Sequence, residues 1–488
     1  MGAFDPVIGL WWRADRPDER LPGYLEQRSG RRASPWRLTL HGQFDDAPST
    51  PGLVQYQTLF GETPSGPFTL TGASLSSGPS GLHSVAVKET IWSAWQLLQG
   101  GHVDDQQPYG EAVFEIPGLL HWLGPTGLNV HMQAEVHAGE GRWDRPADGE
   151  EPRRLESKLD DDLRLTLGPS SSHKFGRDSD LKTYGATYAV TSAAGVRLEV
   201  LTRVSAALAD LHAIVTGAPM QAYNMRLVTT GEQVLTVVDA SRPVGRRWSR
   251  SGLRDPFLDT AEIDFESFIP RWLGLCQDLP VAVAAAVPRN DRQFVQSKFI
   301  DTCNGLEALA AHKWDDAPLS DQEEGLLKTL KDVGVNRDLR DAVKLTLRMR
   351  RFPLQKKLER LAEVLGEQSA QWLLGHPVSA WAELSASLRN SLAHGFAMKG
   401  GLGDDDLFVI LAQQAAHQLL SLALLQEAGY NNERSPKPGE LLWQSGRSNA
   451  GHPNSVLFDN LEFVAFHADR WRGWKAAASD SSSSAGTA

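Results

Sequence analysis

The chain has 488 residues, of which 41% are hydrophobic and 22% are charged. This length predicts more than one domain, and nothing in the composition indicates a disordered or fibrous protein. The net charge of −11 argues against a surface built throughout for nucleic acid, but it allows a local basic patch. The only two cysteines, Cys276 and Cys303, exclude a disulfide framework and a multi-cysteine metal cluster.

The start of the chain shows no signal for secretion or lipid attachment. It lacks a basic segment followed by a long apolar run, and no window approaches about 18 uninterrupted apolar residues. Pro6 stands where a myristoylation signal needs serine or threonine. We therefore expect a cytoplasmic protein with no membrane partner.

Residues 1–290 predict a β-rich region. Short alternating or apolar runs are separated by clusters of glycine, proline and serine, which is typical of all-β domains. The runs with this pattern are FTLTGASL (68–75), LNVHMQAEVHA (128–138), YGATYAVTS, VRLEVLTRVS and EQVLTVVD. We interpret this part of the chain as β-sandwich-like.

Two features of the β-rich region allow a second functional interpretation. His131, Glu135 and His137 share one face of a predicted strand and could bind a metal ion, although a solvated polar face is the commoner outcome. Aromatic rings could also stack on sugars, as in a carbohydrate-binding β-sandwich, but in β domains they more often form the core. The tryptophans concerned are Trp11, Trp12, Trp92, Trp95 and Trp122.

From about Asp291 the apolar period changes from two to 3.6 residues, which predicts α-helices. A capping box at Ser320 and Glu323 marks the start of one of them. The predicted helices cover 294–312, 320–334, 353–366, 378–395 and 404–429. Such helices with short connections indicate a helical bundle over residues 291–475, followed by a flexible tail over residues 476–488.

The segment 337–360 carries nine basic residues against three acidic ones, within a chain that is acidic overall. A basic segment can track a phosphate backbone through Coulomb attraction and counterion release, but basic runs are also common as solvated helix faces. The residues expected to contact RNA, if this segment binds it, are Arg348, Arg350, Arg351, Lys356 and Lys357. A second arginine cluster lies in the loop 240–256.

The stretch SLRNSLAHG places Arg389 and His394 five residues apart near the end of a predicted helix. On an ideal helix of about 100° per residue, they flank an apolar stripe that includes Trp381 and Leu388, so neither is expected in the core. Their directions differ by about 140°, so they do not converge on one phosphate. Convergence would need a loosened turn at Gly395 or a second copy of the helix.

This pattern has two interpretations. In the first, which involves no chemistry, the two residues are the solvated polar end of a helix. The chemical one is RNA cleavage by transesterification, in which a histidine moves a proton at neutral pH and an arginine stabilises charge that develops on the phosphoryl oxygens. That chemistry needs no metal ion.

The residues also resemble known families. RNSLAHG, late in a predicted bundle, resembles the R-x4-H signature of the HEPN superfamily, and FIDTCNGLEALAAH resembles the first HEPN helix. GLWWRADRPDERLPGYLEQ, LFGETPSGPFTLTGASL and YGEAVFEIPGLLHWLG are similar to the N-terminal region of the ApeA family of anti-phage defence proteins. The resemblance covers roughly residues 7–430 and implies an α+β protein. A β-sandwich-like sensing or regulatory region (1–290) would precede a HEPN nuclease domain (291–475).

In function, the resemblance implies an RNA endonuclease that works without a cofactor or metal and leaves 2′,3′-cyclic phosphate ends. Arg389 and His394 match the two invariant letters of the motif, and Asn390 matches the usual polar residue after the arginine, so these three are the expected catalytic residues. Glu307 matches, more loosely, an acidic helper of some HEPN families.

The resemblance also implies partners and a biological role. RNA, with tRNA as the candidate, is the expected substrate, and a homodimer or higher homo-oligomer is expected because HEPN ribonucleases usually bring two motifs together. A phage-derived protein is the expected activator, with abortive infection as the outcome. Two alternatives stay open: a non-catalytic HEPN-type dimerisation or binding protein, and a carbohydrate-binding β-sandwich protein.

Overall fold

The computed structural model describes thirteen β-strands and eleven α-helices. The chain divides into two compact units, which are described separately. Unit 1 comprises Met1–Ala209 and Gln221–Leu253, and unit 2 comprises Asp210–Met220 and Arg254–Ala488. The residues that the structure describes are 4–28, 34–44, 57–77, 89–104, 106–123, 154–175, 180–238, 258, 260–288, 293–314, 321–351, 353–375, 377–394 and 406–430.

Unit 1 is built on a single antiparallel sheet. Its strands are β1 (Val7–Arg13), β2 (Arg16–Gln27), β3 (Trp36–His41), β4 (Gln57–Thr63), β5 (Gly66–Ser77), β6 (Glu89–Ala94), β7 (Gln96–Gln99), β8 (Tyr109–Glu115), β9 (Leu155–Lys158), β10 (Leu163–Phe175), β11 (Asp180–Val196), β12 (Tyr223–Thr229) and β13 (Val234–Val237). A short helix, α1 (Leu119–Trp122), follows β8.

The strand order shows that part of this sheet closes on itself. The order is β4-β1-β2-β3-β6-β5-β7-β13-β12-β8-β11-β10-β9, and β4 also pairs with β5. This extra pairing joins six strands into a closed ring, and the remaining strands continue it as an open sheet. The expectation of a β-rich N-terminal region is confirmed, but the sandwich-like arrangement is wrong. Alternating strands with one buried face are common to sandwiches and barrels, so the pattern alone does not separate them.

The ring encloses an apolar core whose largest members are tryptophans. Trp11 on β1 is fully buried, and its cross-strand partner on β4 is Gly61. A Cβ atom at Gly61 would lie 2.3 Å from Cζ3 of the Trp11 ring, so only glycine leaves room for the indole. The other buried members include Leu25, Trp36, Leu38, Leu40, Leu59, Phe68, Leu70, Trp92 and Leu97.

One predicted strand is wrong. The run VRLEVLTRVS lies largely in helix α2 (Leu198–Thr216), which crosses the boundary between the two units. Its buried residues Leu201, Val204, Leu208 and Leu211 are three or four residues apart, which is the period of a helix face. The short window used for the prediction alternates by chance, and the longer apolar period determines the structure.

Helices form unit 2, and they begin before residue 291, where the sequence pattern placed the change. Short alanine- and proline-containing segments gave no clear period there. The helices are α3 (Phe265–Asp278), α4 (Pro280–Ala286), α5 (Val295–Trp314), α6 (Asp321–Asp332), α7 (Arg337–Arg351), α8 (Leu354–Val364), α9 (Glu367–Leu374), α10 (Val378–His394) and α11 (Asp406–Glu427). The five predicted helices correspond to α5, α6, α8, α10 and α11, which confirms a helical C-terminal region.

Helix α11 is long and largely apolar, and it packs against α3, α4, α5 and α8. Its segment Phe408–Glu427 is long and apolar enough to cross a membrane by composition, with a mean hydropathy of 1.5, but 78% of the window examined is buried inside the protein. Such burial is what the central helix of a bundle shows. Gly305 on α5 permits the close contact, because a Cβ atom there would lie 2.8 Å from Cδ2 of Leu420.

Candidate functional site

Helix α10 carries the Arg-x4-His pair and has the predicted apolar stripe. Trp381 and Leu388 are buried, with 1% and 0% of their surface exposed. The helix packs against α5, α8 and α9 through this side. Arg389 is half-buried beside the stripe, whereas Asn390 and His394 are exposed. The bundle therefore fixes the helix while leaving its polar residues accessible.

The guanidinium of Arg389 is held at two points. Its Nη2 donates a hydrogen bond of 3.0 Å to Oε2 of Glu307, and its Nη1 donates one of 3.3 Å to Oδ1 of Asn390. The Arg389 and Glu307 side chains are 25% and 31% exposed. Nε of Arg389 is buried and has no hydrogen-bond partner among the described residues. The structure thus brings three of the four predicted site residues into contact.

Glu307 reaches Arg389 because α5 packs against α10. It lies on α5, four residues after the buried Cys303. Burial is the main cause that raises the pKa of Cys303 to about 12; the charge of Glu307 also raises this pKa, and Arg389 lowers it. The Cys303 thiol is therefore protonated at neutral pH and does not act as a nucleophile.

His394 is the last residue of α10 and lies on the exposed part of the helix. The helix is continuous from Arg389 to His394, so the angle of about 140° between the two directions applies to the folded chain. A loosening of the turn before His394 is therefore not present. Gly395, where loosening was considered, lies outside the described residues.

The predicted RNA-contact residues lie on two successive helices. Arg348, Arg350 and Arg351 belong to α7, and Lys356 and Lys357 belong to α8. Lys356 is exposed and forms an ion pair of 2.5 Å with Glu359, one helical turn further on. Lys357 is half-buried.

Helical spacing adds three residues to this set. Positions 337, 340, 344, 348 and 351 of α7 lie within about 80° of one another around the helix axis, whereas position 350 lies about 120° from the centre of this group. The residues that the sequence analysis had not assigned to the site are Arg337, Arg340 and Lys344. Counting basic residues did not distinguish them, but projecting the segment on a helix would have done so.

The alternative sites of the β-rich region fare differently. Trp11, Trp12, Trp92 and Trp122 are at most 4% exposed, and only Trp95, at 56%, offers a ring to solvent among these five. The four buried tryptophans therefore belong to the core and do not form the surface cleft expected of a sugar-binding protein. The proposed metal group at His131, Glu135 and His137 lies outside the described residues. The arginine loop 240–256 also lies outside the described residues.

Taken together, these features define the class of the protein. It is an α+β protein in which a β-barrel and sheet unit accompanies a helical unit that bears an Arg-x4-His pair on one continuous helix. The family model for ApeA N-terminal domain 1 matches residues 6–272, which is more than half of the chain. The chain belongs to this family, and the match supports an ApeA-like anti-phage defence protein. A comparison with curated proteins and with solved structures finds no significant match.

Proposed function

We propose that this protein is a HEPN-type endoribonuclease that cleaves RNA, with tRNA as the candidate substrate, in anti-phage defence by abortive infection. The observation that carries the proposal is the arrangement around Arg389. An acidic side chain from α5 and the neighbouring Asn390 orient a guanidinium at the surface of a buried helix, five residues before an exposed histidine. The family match, which ends before α5, supports the defence role. The proposed reaction is supported only by the residues on α5 and α10.

Each residue has a distinct role in the proposed reaction. His394 takes the proton of the attacking 2′-hydroxyl or protonates the leaving 5′-oxygen, since imidazole exchanges protons near neutral pH. The forked donors of Arg389 stabilise the negative charge on the phosphoryl oxygens as the pentacoordinate state forms. Asn390 and Glu307 position the guanidinium. The O2′–P bond forms, the P–O5′ bond breaks, and the product carries a 2′,3′-cyclic phosphate.

A second copy of the chain supplies what one helix lacks. Because Arg389 and His394 point about 140° apart on a continuous helix, the arginine of one protomer and the histidine of its partner would act on the same phosphate. We therefore propose a homodimer in which two α10 helices face each other. RNA would be drawn to the basic stripe of α7, at positions 337, 340, 344, 348 and 351, through the sequence-independent attraction of phosphates.

The first experiment measures cleavage by the full-length protein. Total tRNA is incubated with the protein in EDTA, and fragments are analysed for 2′,3′-cyclic phosphate ends. Arg389→Ala and His394→Ala should each abolish cleavage, while the matched variants Arg271→Ala and His312→Ala, at exposed residues of α3 and α5, should retain it. Cleavage that EDTA stops, or full activity in either α10 variant, would contradict the mechanism.

A complementation experiment tests the shared site. Arg389→Ala and His394→Ala protomers carrying different tags are co-expressed, and the mixed dimer is purified through both tags. If arginine and histidine act across the interface, the mixed dimer holds one intact site and regains about half of the wild-type activity. A mixed dimer as inactive as its parents would show that both residues act from the same chain.

One observation favours a second candidate function. The ion pair between Arg389 and Glu307 joins α5 to α10, and such a pair is also an ordinary structural contact between helices. On that basis the helical unit would mediate dimerisation or partner binding without catalysis. The same assay decides between the two, because a binding protein produces no cyclic-phosphate fragments from any RNA tested.

A further inference from the structure

A cavity in unit 2 has no part in the nuclease proposal. It has a volume of about 260 Å³ and lies between helices α4, α5 and α11, together with the end of α2. Sites for drug-sized molecules have volumes of about 300–1,000 Å³, so this cavity suits a somewhat smaller ligand. Its apolar wall includes Ala284, Ala285, Val287 and Pro288.

The opposite wall of the cavity is polar and comes mainly from α11. This helix is largely apolar, yet it contributes Gln413, Gln414, His417 and Gln418 to the lining. Residues four apart lie one above the other on a helix, so Gln413 is stacked with His417 and Gln414 with Gln418. Four polar side chains on the central helix of a bundle cost stability unless they have partners.

Two of these glutamines have an acceptor without a partner. Gln418 is only 2% exposed, and its Oε1 has no hydrogen-bond partner in the part of the chain that the structure describes. Oε1 of Gln414 is also buried and has no hydrogen-bond partner among the described residues. Leaving a buried acceptor unpaired destabilises the folded state, and natural cores retain very few such groups. Both side chains line the cavity although neither Oε1 is open to it, and rotation about the terminal χ angle, which is a soft torsion, would bring each amide to a ligand there.

The other polar groups make the cavity neutral overall. A ring nitrogen of His417 donates a hydrogen bond to the carbonyl of Ala286, and burial lowers the pKa of His417 to about 4, so the imidazole is uncharged and its second nitrogen accepts. Lys298 and Asp301 on α5 contribute opposite charges. Asp301 accepts a hydrogen bond of 2.7 Å from Nε2 of Gln293. A balanced charge does not select for an anion or a cation.

These properties describe the ligand by its chemistry. Glutamine amides present a donor and an acceptor side by side, which matches the edge of a nucleobase. An apolar wall on the other side suits the flat face of the same ring. We propose that this cavity is a binding site for a free nucleoside, whose base is recognised by Gln414, His417 and Gln418. The proposal does not depend on the nuclease activity.

Calorimetric titration of the full-length protein tests this site. The probes are adenosine, guanosine, cytidine, uridine and, as an uncharged non-planar control, glucose. At least one nucleoside should bind saturably at one site per chain, and glucose should not. Gln418→Met, which keeps the length of the side chain but removes the amide, should raise the dissociation constant by about tenfold or more.

Two variants separate binding from folding. Because Oε1 of Gln418 has no hydrogen-bond partner among the described residues, replacing the amide with an apolar side chain of similar length should cost little, so Gln418→Met should unfold at a temperature close to that of the wild type in the absence of nucleoside. Ala284→Phe should block the cavity from its apolar wall and abolish binding. The matched variant Gln371→Met, on α9 and bonded to Glu367, should bind as the wild type does.

Three outcomes would overturn the proposal. The first is that none of the four nucleosides binds in the millimolar range. The second is that a nucleoside binds equally well to the wild type, Gln418→Met and Ala284→Phe, which would place its site elsewhere. The third is that Gln418→Met lowers the unfolding temperature, which would show that the amide already has a structural partner.

Discussion

The contact between Glu307 and Arg389 leads to a quantitative prediction about catalysis. In the proposed nuclease Glu307 would act on the arginine in two opposing ways: it would orient the guanidinium, to which it is hydrogen-bonded at Nη2, and it would compete with phosphate for that nitrogen. An arginine side chain has about 2 kcal/mol of rotamer entropy. If Glu307 does not hold the guanidinium in place, the side chain loses this entropy when it contacts the phosphate, and the interaction with the phosphate is weakened accordingly. A pair with 25% and 31% exposed side chains contributes only about 0–1 kcal/mol, so the competition is weak.

We therefore expect orientation to dominate. Glu307→Ala should lower kcat/KM for tRNA cleavage by about 5- to 30-fold, which corresponds to about 1–2 kcal/mol. Glu307→Gln should lose less than about fivefold, since its Oε1 still accepts the hydrogen bond from Nη2. The loss should appear mainly in kcat, because the guanidinium acts on charge that develops in the transition state.

The assay is single-site cleavage of a labelled tRNA with kcat and KM measured separately, and urea unfolding of each variant. Glu363→Ala, at an exposed glutamate of α8, is the matched control and should leave both constants unchanged. Each variant should retain its stability to within about 1 kcal/mol. Cleavage by Glu307→Ala at or above the wild-type rate would refute the positioning role, as would an equal loss in Glu307→Gln.

Two further predictions concern stability. Burial lowers the pKa of His212 to about 3 and that of His417 to about 4, so below the usual value of 6.5 the unfolded chain binds protons that the folded chain does not. The free energy of unfolding should therefore be highest above pH 6.5, and below this pH it should fall by about 1.4 kcal/mol per pH unit for each histidine. Urea unfolding of His417→Gln at several pH values should show a shallower dependence on pH than the wild type, and an equal dependence would contradict this reasoning. Gly305→Val should lower the free energy of unfolding by about 1–3 kcal/mol, because the new side chain meets Leu420. Gly274→Val, whose side chain meets nothing within 4 Å, should unfold near the wild-type midpoint. Equal midpoints for the two variants would show that the close packing at Gly305 is unimportant.

Local periodicity predicted five of the C-terminal helices but not the topology of the sheet. The apolar stripe of α10 can be read directly from the spacing of Trp381 and Leu388, because a helix repeats within a few residues. Closure of the ring depends on the pairing of β4 with both β1 and β5, and nothing in one strand's alternation states its partners. The error at α2 has a related cause, since a window shorter than about three turns can fit both periods.

The candidate site shows the same division. The positions of Arg389, Asn390 and His394 on one helix follow from the sequence, and so does the angle between the charged residues. The contact with Glu307, 82 residues away, depends on how α5 packs against α10, and only the family resemblance indicated it. The buried amides of Gln414 and Gln418 gave no signal, because polar residues on an apolar helix are conspicuous only when their burial is known.

The closed ring of β-strands also affects the order of events during synthesis. All six of its strands lie between Val7 and Ala94, so the ring can form while most of the chain has not yet been translated. His394 follows Ala94 by 300 residues, which takes about 15–60 s at a rate of about 5–20 residues per second. A ribosome that stalls or releases the chain within this interval therefore leaves a foldable barrel without the Arg-x4-His pair. Truncated translation products would therefore lack the residues of the proposed catalytic site.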